Sequence, residues 1–135
     1  MSEPKTLLVS DDDKKFRFGL TAILRRAGYT VLAAGNETEG LQQTRENLPD
    51  AIMSDVMLPT PDGIELKKEL SGDPLTRDIP FIFFSAKIPH AEKQAGYDLG
   101  ADDYIIKQFN VDDILTRVEV VLENGEIRRN VQDSS

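Results

Sequence analysis

Two apolar runs in this chain end in carboxylates. Thr6-Leu7-Leu8-Val9-Ser10 runs into Asp11-Asp12-Asp13, and Ala51-Ile52-Met53-Ser54 runs into Asp55. A carboxylate at the tip of a buried strand, followed for Asp55 by a loop punctuated by Pro59, Pro61 and Gly63, is delivered to a cleft and not to open solvent. Two further runs end in polar groups, Phe81–Phe84 in Ser85 and Asp103–Ile106 in Lys107. Clustered carboxylates repel one another and raise at least one proton affinity, so leaving them without a partner costs stability. A hard divalent cation relieves that repulsion. Mg²⁺ takes oxygen ligands, needs only one or two protein carboxylates and keeps positions open for water and phosphate oxygens. A carboxylate beside it can attack a phosphoryl donor to give an aspartyl phosphate. The transferring group then needs mainly positioning and positive charge. Lys107 offers an ammonium and Ser85 a hydroxyl, which completes a set for phosphoryl transfer to Asp55.

The elements that must position these groups follow from the hydropathy pattern. Short apolar runs alternate with longer helix-patterned stretches, the signature of strand–helix units around a parallel sheet. Strands are expected at Lys5–Ser10, Thr30–Ala34, Ala51–Asp55, Pro80–Ser85 and Asp103–Ile106. Leu7–Val9 and Phe81–Phe84 are apolar at consecutive positions, which requires helices on both faces and places these strands centrally. Thr30–Ala34, less apolar and flanked by Gly28 and Gly35, is expected at an edge.

Phe16, Leu20, Ile23, Leu24 and Ala27 recur at helical spacing and Gly28 closes that element. Further helices are expected over Glu37–Asn47, Gly63–Leu70, Pro89–Leu99 and Val111–Glu126. The last carries the clearest stripe, Val111, Ile114, Leu115, Val118, Val121 and Leu122. Pro89–Leu99 is the weakest, because Gly96 costs a helix interior ~1 kcal/mol relative to alanine. The expected layout is one domain over residues 1–126, with a polar tail over 127–135 that frays.

Composition narrows the function. At 135 residues the chain is long enough for a sizeable core without staples, and its formal net charge of -8 gives no basic footprint for nucleic acid. With no cysteine, thiolate metal sites, thiol nucleophiles and disulfides are excluded within it. No apolar stretch approaches the ~20 residues needed to span a bilayer, and Met1–Lys5 is not followed by an apolar signal segment. A soluble, cytoplasmic domain is the expectation.

Taken in order, the motifs Leu7-Leu8-Val9-Ser10-Asp11-Asp12-Asp13, Asp55-Val56-Met57-Leu58-Pro59 with Asp62-Gly63, Phe83-Phe84-Ser85-Ala86 and Ala101-Asp102-Asp103-Tyr104-Ile105-Ile106-Lys107 resemble a two-component response-regulator receiver domain, the class typified by the stand-alone chemotaxis regulator. The resemblance runs from about Lys5 to Leu122. It implies a flavodoxin-like (βα)5 fold with sheet order 2-1-3-4-5. It also implies that Asp55 is the phosphoacceptor, that Asp11 and Asp12 with Asp55 bind Mg²⁺, and that the Met57 backbone carbonyl completes the metal shell. Ser85 matches the switch hydroxyl, Lys107 the lysine that pairs with the phosphoryl group, and Tyr104 the aromatic whose rotamer reports the state to the surface. The donor would be a histidine kinase or histidine phosphotransfer protein. The outcome would be a changed affinity for a downstream protein or, on phosphorylation, for a second copy.

Where the family commonly has proline after the lysine, this chain has Gln108. A cis bond before a non-proline residue costs ~2.5–4 kcal/mol, so a trans Lys107–Gln108 bond and altered contacts around Phe109 are expected. Ser10 stands where an aliphatic residue is more usual. Met57 and Lys87 look out over the acceptor; an apolar Met57 cannot orient an attacking water, so slow autodephosphorylation is expected. Asp13 reads as a helix cap and His90, the only histidine, as a solvated loop residue. Phe18 falls off the stripe of the first helix and is either scattered surface hydrophobicity or part of a docking face. Two rivals remain. A pseudo-receiver would bind partners without phosphorylation, and an aspartate-nucleophile phosphohydrolase would ordinarily carry a second acid where Met57 stands.

Overall fold

The structure, a computed structural model, describes residues 4–56, 63–85, 100–108 and 110–133. The expected helix at Pro89–Leu99 with His90, and the positions Met57, Pro59, Pro61, Asp62, Ala86, Lys87 and Phe109, lie outside the described residues. Five strands, β1 (Thr6–Ser10), β2 (Thr30–Ala34), β3 (Ala51–Asp55), β4 (Phe81–Ser85) and β5 (Asp103–Ile106), form one sheet of order β2-β1-β3-β4-β5. All neighbours are parallel. Among the described residues four helices accompany it: α1 (Lys14–Arg26), α2 (Glu37–Asn47), α3 (Gly63–Ser71) and α4 (Val111–Asp133). This is the flavodoxin-like order that the sequence implied, with β2 at an edge.

Alternation along each strand divides the core between the two faces. Leu7, Val9, Met53, Ile82 and Phe84 pack with Leu20 and Leu24 of α1 and with Ile114, Val118, Val121 and Leu122 of α4. Leu8, Ile52, Phe81, Phe83 and Tyr104 face the other way, against Leu66 and Leu70 of α3. Covering both faces explains the consecutive apolar positions of β1, β3 and β4. Ser10 is fully buried there, and its hydroxyl has no hydrogen-bond partner among the described residues.

Two local features serve the carboxyl ends of the strands. Asp13 caps α1 by accepting the Phe16 N–H at 3.1 Å, as its position after the strand suggested. At the start of α3, the Gly63 N–H donates to the Val56 carbonyl at 3.0 Å. A Cβ at Gly63 would overlap the Asp55 carbonyl, so only glycine lets this helix begin against the end of β3.

The expected fraying tail is corrected. The last helix does not stop at Glu126 but continues to Asp133, because its far end has partners along the opposite sheet edge. Glu126 pairs with Lys5 at 2.5 Å, and Arg128 with Asp102 at 3.0 Å. Asp102 in turn accepts the Phe81 N–H at 2.9 Å. Gly125 is buried against Pro80, where a Cβ would come within 2.5 Å of the ring Cγ. No helix among the described residues is long and apolar enough to cross a membrane.

Gly125 supplies a test of this seating. In an exposed helix Gly→Ala stabilises by ~1 kcal/mol. Here Gly125→Ala is expected to lower the unfolding free energy in urea by ~1–2 kcal/mol through overpacking against Pro80. A stabilised variant would show that α4 is not held at that edge.

Candidate functional site

The site is built by strand register. Ser10 of β1 pairs with Ser54 of β3, so the next residues, Asp11 and Asp55, emerge side by side. Asp55 pairs with Phe84, and Ser85 with Ile106, which brings Ser85 and Lys107 to the same mouth. Backbone bonds carry the ladder past the strand ends: Asp11 N–H to Ala34 O at 3.0 Å, Val56 N–H to Phe84 O at 2.9 Å and Lys107 N–H to Ser85 O at 2.8 Å. The side chains therefore leave a hydrogen-bonded platform and not a loose loop.

Lys107 is the hub. Its Nζ lies 2.5 Å from Asp55 Oδ2 and 2.9 Å from Asp11 Oδ2. Asp11, Asp55 and Ser85 are each at least nine-tenths buried, whereas Asp12 is exposed at the rim. Asp11 is held from the other side too, its Oδ1 accepting the Asp13 N–H at 2.8 Å.

Burial raises the Asp11 carboxyl above its ordinary range, and the Asp55 charge adds to that. The hydrogen bond from Lys107, the Asp13 N–H and the ammonium charge oppose it without cancelling it. For Lys107, burial acts to lower the proton affinity, but hydrogen bonds to Asp55 and Asp11 and their charges outweigh it, so the ammonium is held more firmly than usual.

Carboxylate oxygens of Asp11, Asp12 and Asp55 all lie within 4.8 Å of one another. This hard, all-oxygen donor set, two carboxylates recessed and one at the rim, fits a small divalent cation. Among the described residues the Lys107 ammonium faces two of these three carboxylates directly.

The structure thus brings together Asp11, Asp12, Asp55 and Lys107, with Ser85 at the adjoining strand end. Tyr104 lies away from the carboxylates: it is buried on the α3 face, its ring 5.6 Å from that of Phe83. Two neighbours were not legible as site residues. Arg17 donates from Nη1 to the Asp11 carbonyl at 2.6 Å, and Phe16 places its ring 4.5 Å from the Lys107 ammonium. The only sequence signal for either is nearness to the Asp13 cap, since the first turn of α1 must overhang the end of β1. Phe18 is 78% exposed on the same helix.

Comparison with known proteins agrees with this geometry. The family described as "Response regulator receiver domain" matches residues 7–119. The phosphate regulon transcriptional regulatory protein PhoB of Pseudomonas aeruginosa is 40% identical over 118 residues, covering 87% of this chain and 52% of that protein. The alkaline phosphatase synthesis transcriptional regulatory protein PhoP of Bacillus subtilis is 38% identical over 123 residues, covering 91% and 50%. The chain therefore spans about half the length of the curated relatives it matches. Among solved structures, a putative response regulator from Chloroflexus aurantiacus superposes with a TM-score of 0.84 at 41% identity, covering 89% of this chain and 98% of that one. A CheY-like receiver domain protein from Methanospirillum hungatei superposes at 0.87 with 26% identity, covering 93% and 98%.

The Asp11 shift predicts a stability gain. Folding raises the proton affinity of this carboxyl above the unfolded value near 3.8, so its contribution is greatest at acid pH and is lost as pH rises through the folded value. Asp11→Asn keeps the neutral form at every pH. At pH 7 its thermal midpoint should exceed the parent's. The difference should vanish below the unfolded value. A variant no more stable than its parent at neutral pH would mean that the ion pair with Lys107 offsets burial completely.

Proposed function

Because the chain belongs to the response-regulator receiver domain family, we propose that it is a phosphorylation-dependent signalling switch whose Asp55 accepts a phosphoryl group from a partner histidine kinase or histidine phosphotransfer protein. The observation that carries this reading is the convergence of Lys107 on both Asp55 and Asp11 at one sheet edge. An Asp55 carboxylate oxygen forms the new bond to phosphorus. The donor's bond to phosphorus breaks, and its electron pair leaves with the donor. Lys107, already within ion-pair reach of the acceptor, offers its ammonium to the phosphoryl oxygens, and the Ser85 hydroxyl donates from the neighbouring strand end. Asp11, Asp12 and Asp55 would hold Mg²⁺, with the Met57 carbonyl added by resemblance alone. Bound there, the ion supplies positive charge to a group whose transfer depends on charge stabilisation.

The result is an anion at the end of β3 that competes for the Lys107 ammonium. Lys107 is bonded through its backbone to Ser85, and Tyr104 sits on the same strand as Lys107's approach, so a shift at the mouth reaches the β4–β5 surface directly. Two surface arrangements with different partner affinity would be biased in this way. The downstream partner is a protein, and a second copy of the chain is one such partner. The chain turns over no external substrate; it catalyses its own phosphoryl uptake and, slowly, its hydrolysis.

Incubation with a small acyl phosphate tests the reading by intact mass. One phosphoryl adduct should form in the presence of Mg²⁺, should fail to form with chelator, and should be absent from Asp55→Asn. An adduct that persists in Asp55→Asn would place the acceptor elsewhere. No adduct under any condition would favour a module that binds without phosphorylation.

A further inference from the structure

Phe16 follows the Asp13 cap in the first turn of α1, and its ring is clamped between two groups of the site. On one side it meets the Phe84 ring edge to face, centroids 5.7 Å apart and planes at 66°. On the other, the Lys107 ammonium lies over the ring, 4.5 Å from its centroid. Phe84 is buried in the core beneath the site, so the ring has a fixed support. Among the described residues the ammonium meets Asp55 Oδ2, Asp11 Oδ2 and an aromatic face.

These neighbours differ in what else they can bind. The carboxylates of Asp11 and Asp55 are also in the oxygen set that fits a divalent cation, so ammonium and metal compete for them. The aromatic face attracts an ammonium through its quadrupole but offers no oxygen to a hard cation. Among the described residues it is the contact of the Lys107 ammonium that a metal does not contest.

We propose that Phe16 is a positioning residue for Lys107: its ring retains the ammonium at the mouth when a divalent cation takes the carboxylates, so that both positive charges are present together. The inference rests on the phosphoreceiver reading and extends it to a residue outside the carboxylate, hydroxyl and lysine set. A leucine or methionine at position 16 would preserve the apolar stripe of α1 but not this contact, which separates the proposal from a packing role.

The experiment compares the full chain with Phe16→Leu, Phe16→Met and Phe16→Tyr. Phe16→Met serves as a second non-aromatic variant if Phe16→Leu fails to fold. In the metal-free protein, the Lys107 side-chain methylene resonances should be shifted upfield by the ring current in the parent and in Phe16→Tyr, and should lose that shift in the non-aromatic variants. On saturation with Mg²⁺, followed by amide resonances, the parent and Phe16→Tyr should keep that upfield shift, because the ring holds the ammonium at the mouth while the metal takes the carboxylates. In Phe16→Leu and Phe16→Met, Mg²⁺ should release the Lys107 side chain, seen as loss of the NOEs between its methylenes and residue 16. Loss of the parent's upfield shift on Mg²⁺ binding would overturn the proposal. So would NOEs that persist with Mg²⁺ in both non-aromatic variants, or a parent spectrum with no ring-current shift at Lys107. A parent that shows the shift but takes up no Mg²⁺ would overturn the phosphoreceiver reading, and this inference with it.

Discussion

Every other feature of this molecule is arranged around one electrostatic constraint: two recessed carboxylates, Asp11 and Asp55, share a single ammonium at the carboxyl edge of a parallel sheet. Burying like charges side by side is unfavourable, and burial keeps the Asp11 carboxyl above its ordinary range even with Lys107 beside it. The fold accepts this cost at one place. Elsewhere along β1, β3 and β4 the buried side chains are overwhelmingly apolar. The core is otherwise conventional, and the carboxylates are concentrated at one mouth, where their oxygens fit a small divalent cation.

The constraint explains why the scaffold must be stiff there. Parallel register brings Asp11 level with Asp55, and backbone bonds at Asp11 and Val56 carry the ladder one residue past the strand ends. Gly63 starts α3 directly against the Asp55 carbonyl, and Arg17 fixes the Asp11 carbonyl from α1. With the backbone immobilised on both sides, the free variable is the long side chain of Lys107. That is where a change of charge at Asp55 would first be felt, and the backbone bond of Lys107 to Ser85 passes it to the neighbouring strand end.

Most of this was legible in the sequence, for identifiable reasons. The strands were readable because a doubly covered parallel sheet leaves unbroken apolar runs, and their polar endings pointed to the site because all parallel strands finish at one edge. What escaped depended on contacts between distant segments. Nothing in the polar stretch after Glu126 shows helical amphipathicity, and the helix persists there because Arg128 meets Asp102 and Gly125 meets Pro80. Phe16 was correctly placed on the inward stripe of α1, but periodicity reports which face a residue is on, not whether its turn lies over the core or over the mouth. Arg17 escaped because a bond to a main-chain carbonyl carries no side-chain signature. Met57 and the helix expected over Pro89–Leu99 fall outside the described residues.

The two edges of the sheet are consequently different in kind. At the amino edge, Lys5, Pro80 and Asp102 each meet one residue of α4. At the carboxyl edge, Lys107 is shared between Asp11 and Asp55, with the Asp12 carboxylate beside them. A helix anchored at the first edge and running along the sheet to the second gives that end a fixed frame. Charge arriving at the mouth would then be met first by side chains, that of Lys107 above all, because the sheet and α4 have no cheaper way to yield.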